Sequence, residues 1–266
     1  CLQTLEGHSG SVTSVTFQPD NDKILVSVSN DKIIRLWDSI TGQCLQTLEG
    51  HTEWVRSVTF QPDNDKILAS ASDDETIRLW DPITGQCLQT LEGHSGSVIS
   101  VTFQPDGKML ASASADETIR LWDLTGQCLR TLEGHSGLVI SVTFRPDGKM
   151  LASASADETI RLWDLTGQCL RTLEKQGYIE SLSFVNNQPY LRTNKGFIRF
   201  DLDNLEDFQS SERQPSGLYI ADSWVTLHTQ YFLWIPSEYR SYLSSDIHNN
   251  IIALGYTSGQ VVSFIF

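Results

Sequence analysis

The sequence predicts an all-β fold built as a ring of repeated four-stranded units. Gly-His recurs at His8, His51, His94 and His135, a spacing of 43, 43 and then 41 residues, and Trp-Asp recurs at Trp37, Trp80, Trp122 and Trp163, a spacing of 43, 42 and 41. Inside each period, short runs rich in Val, Ile, Leu, Ala and Thr alternate with turn residues. The chain also opens on what is a fourth strand in every later unit and stops after a third, so each end is expected to complete the other.

The third unit shows the elements in order: strands at 98–103, 109–113, 118–122 and 128–132, separated by Pro105-Asp106-Gly107, Ala115-Asp116-Glu117 and Thr125-Gly126-Gln127. The drift in period falls in turns, where Asn21-Asp22-Lys23 and Asn64-Asp65-Lys66 become Gly107-Lys108 and Gly148-Lys149. Likewise Ser39-Ile40 and Pro82-Ile83 become Leu124 and Leu165. Regular units cover 1–174. Residues 175–266 read as degenerate units of the same single domain, 1–266, with strands at 178–184, 190–193 and 197–202 and Phe200-Asp201 where Trp-Asp stood. A polar inserted loop is expected at 203–217. Strands at 231–235, 242–245, 251–256 and 261–266 then supply a fourth strand and three strands of a last unit, with 224–227 left over. This count gives six units, or seven if 218–234 builds one of its own.

Four strands per unit, Gly-His at the opening and Trp-Asp near the close, resemble the WD40 β-propeller family. The resemblance implies an all-β propeller of six blades, or seven, closed by residues 1–5 pairing with 261–266. It also implies a hydrogen-bonded tetrad in each regular blade: His8, Ser27, Asp31, Trp37; His51, Ser70, Asp74, Trp80; His94, Ser112, Asp116, Trp122; and His135, Ser153, Asp157, Trp163. The chemistry suits that role, because a buried indole N–H needs an acceptor, a hydroxyl both accepts and donates, and an imidazole oriented by a carboxylate completes the chain.

Several apparent active-site signals dissolve on inspection. Four Ser-His-Asp sets around a ring are structural, since a hydrolase needs one cleft with oxyanion donors. Gly7-His8-Ser9-Gly10-Ser11 lacks the final Gly of a nucleophile elbow and joins two strands. Asp20-Asn21-Asp22 and Asp63-Asn64-Asp65 lack the Gly and terminal Glu of a calcium loop. Gly107-Lys108 and Gly148-Lys149 are followed by Met and form no P-loop. His228 and His248 lie outside any motif. No catalytic residue, metal site or cofactor is expected.

The composition narrows the partners. Asp and Glu number 33 against 19 Lys and Arg, a formal charge of −14 over 266 residues, which disfavours nucleic acid and anionic membrane. Apolar residues make up 39%, enough for a sizeable core, but no run approaches the roughly 20 residues of a membrane-spanning helix. Cys1, Cys44, Cys87, Cys128 and Cys169 hold one equivalent position near each blade's outer edge, where the ~10 Å sheet spacing exceeds the reach of a disulfide. Five free thiols and a reducing compartment follow.

Near-identical units also show which positions vary. The third and fourth differ at only three places in 41. One variable column reads Ser11, Trp54, Ser97, Leu138; a second reads Thr13, Arg56, Ile99, Ile140; a third reads Asn30, Asp73, Ala115, Ala156. Strand alternation puts the first two columns on one side, and the third lies in the turn beside the Gly-His loop. All three are expected to meet at one end of the ring as a protein- or peptide-binding surface, with Trp54 and Arg56 as anchors.

The repeated Gly-Gln-Cys-Leu-Gln/Arg-Thr-Leu-Glu-Gly-His and the tail Leu233-Trp234-Ile235-Pro236-Ser237-Glu238-Tyr239-Arg240 resemble the C-terminal propeller of fungal NACHT-WD proteins, the vegetative-incompatibility (HET-E-like) group. That resemblance implies a cytoplasmic receptor whose propeller recognises a partner while an upstream NTPase domain signals. The chain, opening on Cys1 in mid-repeat, is expected to be part of a longer polypeptide. The alternatives are a scaffold subunit of a constitutive assembly and an enzyme using the central channel.

Overall fold

The middle strands of each unit are small and apolar because they are covered on both faces. Leu68–Ser72 is buried at every residue, whereas in Val55–Phe60 only Val55, Val58 and Phe60 are buried. In the outer strand Cys87–Leu91, burial is confined to Leu91. Burial that peaks in mid-sheet and fades outward is the signature of blades radiating from an axis. The computed structural model describes residues 2–19, 21–62, 66–174, 177, 179–185, 188–200, 218–221, 224–227, 230–234, 242–248 and 251–265.

Seven antiparallel sheets form among the described residues. The first blade is Val12–Gln18, Asn21–Ser29, Ile34–Asp38 and Cys44–Leu48. The second is Val55–Phe60, Leu68–Ser72, Ile77–Trp80 and Cys87–Leu91. The third is Val98–Phe103, Met109–Ser114, Ile119–Asp123 and Cys128–Leu132. The fourth is Val139–Phe144, Met150–Ser155, Thr159–Asp164 and Cys169–Glu174. A fifth sheet comprises Leu182–Phe184, Tyr190–Thr193 and Gly196–Arg199, and a sixth comprises Leu218–Ala221, Trp224–Leu227 and Gln230–Trp234. The last takes Tyr242–His248, Ile251–Tyr256 and Val261–Ile265 and is completed by Leu2–Leu5.

The all-β propeller and its closure are as expected: Leu2 pairs with Phe264 and Leu5 with Val261. Of the two blade counts, the structure takes seven. Gln230–Trp234 does not serve as a fourth strand of the preceding unit but pairs with Trp224–Leu227, with Trp224 opposite Trp234. Only two residues separate these strands, so a local hairpin wins over a long return. In the fifth blade, register puts Ile198 opposite Leu191, as Trp163 stands opposite Leu151, so Ile198 and not Phe200 occupies the tryptophan register. Phe200 instead packs edge-on against Phe184, centroids 5.6 Å apart. The expected loop at 203–217 and the tail 235–240 lie outside the described residues.

Core packing runs from each blade to its neighbour. Val26, Ile34, Leu36 and Leu48 of the first blade meet Val55, Phe60, Leu68 and Trp80 of the second, and the same set recurs between the second and third and between the third and fourth. Trp37 fills the junction with the seventh blade beside Leu5, Ala253 and Val261. The fourth and fifth blades join through Met150, Ile160, Leu162, Ile179, Leu182 and Leu191. Polar ties reinforce these junctions. The N–H groups of Val101, Val142 and Leu182 donate to the hydroxyls of Ser57, Ser100 and Ser141 on the preceding blade, at 3.3, 3.4 and 3.1 Å. These serines thereby satisfy donors that an innermost edge strand would otherwise leave bare.

Because Leu5 is 1% exposed and belongs to the same cluster as Val261 and Val12, removing residues 1–5 should open the last sheet before the others. Amide hydrogen exchange will show faster exchange first in Val261–Ile265; unchanged protection there would mean the ring does not depend on this closure.

Candidate functional site

The four tryptophans, each 1% exposed, set the local problem, since each brings an indole N–H into the core. Trp37, Trp80, Trp122 and Trp163 donate to Ser27, Ser70, Ser112 and Ser153, 2.8 Å in every case. The serine hydroxyls lie 2.7–2.8 Å from Nε2 of His8, His51, His94 and His135. The opposite ring nitrogens, Nδ1, lie 2.7–2.9 Å from Asp31, Asp74, Asp116 and Asp157. An ionised carboxylate only accepts, so Nδ1 carries the imidazole proton and Nε2 accepts from the serine, which in turn accepts from the indole. The serine and the histidine each donate to one neighbour and accept from the other, between an indole that only donates and a carboxylate that only accepts.

The aspartates also take backbone donors. Asp116 accepts from Ser95 N–H in the Gly-His loop at 3.1 Å and from Thr118 N–H in its own turn at 3.0 Å. Burial acts to raise its pKa, but hydrogen bonds from Thr118 and His94, the His94 charge and the Ser95 N–H outweigh it and hold the carboxyl at about 2. Burial depresses the pKa of His94 and His135 despite their aspartates. An arginine unmarked in the sequence reading completes each set: Arg35, Arg78, Arg120 and Arg161 lie 5.9–6.0 Å from the centroids of the tryptophan rings. The signal was available, since Arg stands two residues before Trp in every regular unit. The glycine of Gly-His answers a positive φ, with the guanidinium lying close to the space a Cβ would take. At Gly93 (φ 144°) a Cβ would lie 2.7 Å from Arg120 Nη1.

The three variable columns converge. The N–H groups of Asn30, Asp73, Ala115 and Ala156 donate to the carbonyls of Ser11, Trp54, Ser97 and Leu138, each at 2.9 Å, so the first and third columns are stitched together in all four blades. The second column departs from simple alternation, because register shifts at Thr13, Arg56, Ile99 and Ile140 make each the extra residue of a bulge. Thr13 turns its hydroxyl to the carbonyls of Val28 and Val55. Arg56 donates through Nε and Nη2 to both oxygens of Asp73, at 2.8 and 2.6 Å, and its guanidinium lies 4.9 Å from the Trp54 ring centroid. The second blade thus joins all three columns in one rigid cluster.

One expected contact residue is withdrawn. Ile140 is 8% exposed, because Leu182–Phe184 of the fifth blade docks beside it, and Ser141 next to it is buried as well. Ile99 is half-buried, whereas Leu138, Ala115 and Ala156 are exposed. Cys44, Cys87, Cys128 and Cys169 carry free thiols on the outer strands; Cys1, Asp20, Asp63, Asn64, Asp65 and His228 lie outside the described residues. Among the described residues, no group of His, Cys, Asp and Glu side chains is placed to hold a metal ion. No helix among them is long and apolar enough to cross a membrane.

Two outcomes test the tetrads. Asp116→Ala strands His94 Nδ1–H and the Ser95 and Thr118 N–H groups and should cost about 1–3 kcal/mol, well above Asp106→Ala, which loses an exposed turn contact to Lys108. Equal urea midpoints for the two variants would refute the network. Because His94 and His135 bind protons less readily folded than unfolded, their contribution is complete above about pH 6.5 and declines as pH falls below it. The depressed aspartates extend the loss below their usual range near 3.8. A urea midpoint that stays flat from neutral pH to about pH 5 would contradict the histidine assignment.

The family described as "WD domain, G-beta repeat" matches residues 1–38, 42–81, 85–123 and 126–164, more than half of the chain. Similar curated proteins include the vegetative incompatibility protein HET-E-1 of Podospora anserina, 50% identical over 42 residues, 16% of this chain and 3% of that protein. The nuclear distribution protein PAC1 of Candida tropicalis is 51% identical over 41 residues, 15% of this chain and 8% of that protein. The small ribosomal subunit protein RACK1 of Schizosaccharomyces pombe is 57% identical over 37 residues, 14% of this chain and 12% of that protein. Each match is the length of about one repeat, so these relatives speak to the blade and not to a whole protein. With its repeats matched at four successive places and folded as blades, the chain belongs to the WD40 repeat family, whose members are generally non-enzymatic modules that bind protein partners.

Proposed function

We propose that the Gly-His end of the ring is the partner-binding face, that Trp54 is its anchor, and that the chain is the recognition domain of a larger NACHT-WD type receptor. The observation that carries the reading is Trp54, 43% exposed where the other described tryptophans of the regular blades are buried. Arg56 supports one face of its ring and is itself fixed by Asp73, so the indole is held in position before any partner arrives. An aromatic side chain with little rotamer freedom left to lose is the cheapest kind of anchor. Similarity to HET-E-1 supports the receptor role, and four free thiols suit a reducing cytoplasm. A constitutive scaffold is the second reading, favoured by the similarity to RACK1, whose name places it in a ribosomal subunit.

The anchor test uses Trp54→Ala alone, because Arg56→Ala would leave Asp73, with an 18% exposed side chain, without its ion pair. Trp54→Ala should leave the melting temperature nearly unchanged and weaken partner binding by about 2 kcal/mol or more, about thirty-fold. Intact binding with a sharp loss of stability would show Trp54 to be a packing residue. Reading the coding sequence upstream of Cys1 separates receptor from scaffold: a P-loop NTPase there supports the first, and its absence supports the second.

A further inference from the structure

We infer that the Gly-His face takes a basic peptide segment carrying large apolar side chains, an inference that rests on the docking face proposed above. Two large apolar residues stand out from this face, Trp54 at 43% and Leu138 at 37% exposure, two blades apart. Across the blades that carry them, an exposed glutamate precedes each Gly-His (Glu49, Glu92, Glu133) and another follows each tetrad aspartate (Glu75, Glu117, Glu158). None of the six has an ion-pair partner among the described residues.

Arg35, Arg78, Arg120 and Arg161 lie over the tetrad tryptophan rings beside the Gly-His loops, and two further cations of this face, Lys32 and Arg56, are held by neighbours. Lys32 Nζ donates to the Thr52 carbonyl and lies 3.3 Å from Glu53, and Arg56 is held by Asp73. The first blade shows the contrast. There Lys32 stands at the turn position that glutamate takes in the next three, and Glu6 accepts from Gln260 at 3.2 Å. At the turn position, glutamate without an ion pair therefore begins with the second blade, where the exposed apolar residues begin. An acidic partner would bring like charges together around Trp54 and Leu138, whereas Lys and Arg side chains would be drawn to the glutamates while their apolar neighbours cover the two anchors.

The test uses three synthetic peptides: arginines interspersed with leucines, the charge-inverted peptide with glutamate for arginine, and arginines interspersed with glycine. Binding is measured by calorimetry at low and raised ionic strength against the wild-type chain, Glu75→Gln/Glu117→Gln/Glu158→Gln, and Trp54→Ala/Leu138→Ala. The arginine-leucine peptide should bind best, lose affinity with salt, and bind the triple variant about tenfold or more weakly. The apolar double variant should weaken it comparably, and the charge-inverted peptide should not bind. Melting temperatures are recorded alongside, and single Glu117→Gln is read instead if the triple variant melts lower. Equal binding of the charge-inverted peptide, or no effect of removing the glutamates, overturns the basic-segment inference; a persisting dependence on Trp54 would then leave the docking face standing. If the apolar variant also binds unchanged, both readings fall.

Discussion

The buried indole N–H is the constraint from which much of this molecule follows. Wedging a tryptophan between blades removes a large apolar surface from water, but its one polar atom goes with it and must find an acceptor. The serine two strand positions away answers that need and creates another, since its own proton must go somewhere. The histidine takes it, the aspartate takes the histidine's, and the aspartate finishes by gathering N–H groups from two loops. A packing demand at the core is thus relayed outward until it fixes backbone at the surface. The Gly-His loop and the neighbouring turn are held together by that relay, and the variable residues ride on it.

The fifth blade shows a different answer to the same geometry. With Ile198 at the tryptophan register there is no indole N–H to satisfy, and Thr193, standing where the tetrad serines stand, donates instead to Gly196 within its own hairpin. Phe184 keeps the register that Phe144 has in the fourth blade and packs edge-on against Phe200. Such a blade keeps the apolar half of the design and replaces the relay by a tie, the Glu180 N–H donating to Asn194 Oδ1 at 3.1 Å.

What was legible in the sequence was what repeats at fixed spacing with distinctive chemistry. Histidine, serine, aspartate and tryptophan, four times over, gave the blades, the tetrads and the phase of the closing strand. Three things left no such mark. The sixth sheet carries neither Gly-His nor Trp-Asp, so its strands could be seen but not grouped, because pairing is not written in composition. The bulge at Thr13, Arg56, Ile99 and Ile140 adds a residue without changing any residue type, which is why strict alternation misplaced Ile140. The serine ties between blades escaped notice because Ser57, Ser100 and Ser141 read as ordinary strand residues until a neighbouring N–H is seen pointing at them.

The bulge has a bearing on how such a molecule can change. A residue that opposes no partner in the ladder is released from the demand that its side chain fit a cross-strand neighbour. In this chain that released position holds threonine, arginine and isoleucine in successive blades, on strands that keep one register from the bulge to Phe17, Phe60 and Phe103. Chemistry at the rim can therefore be exchanged one residue at a time while pairing, core and tetrad stay as they are. Variety at this end of the ring and foldability are thus drawn from different residues.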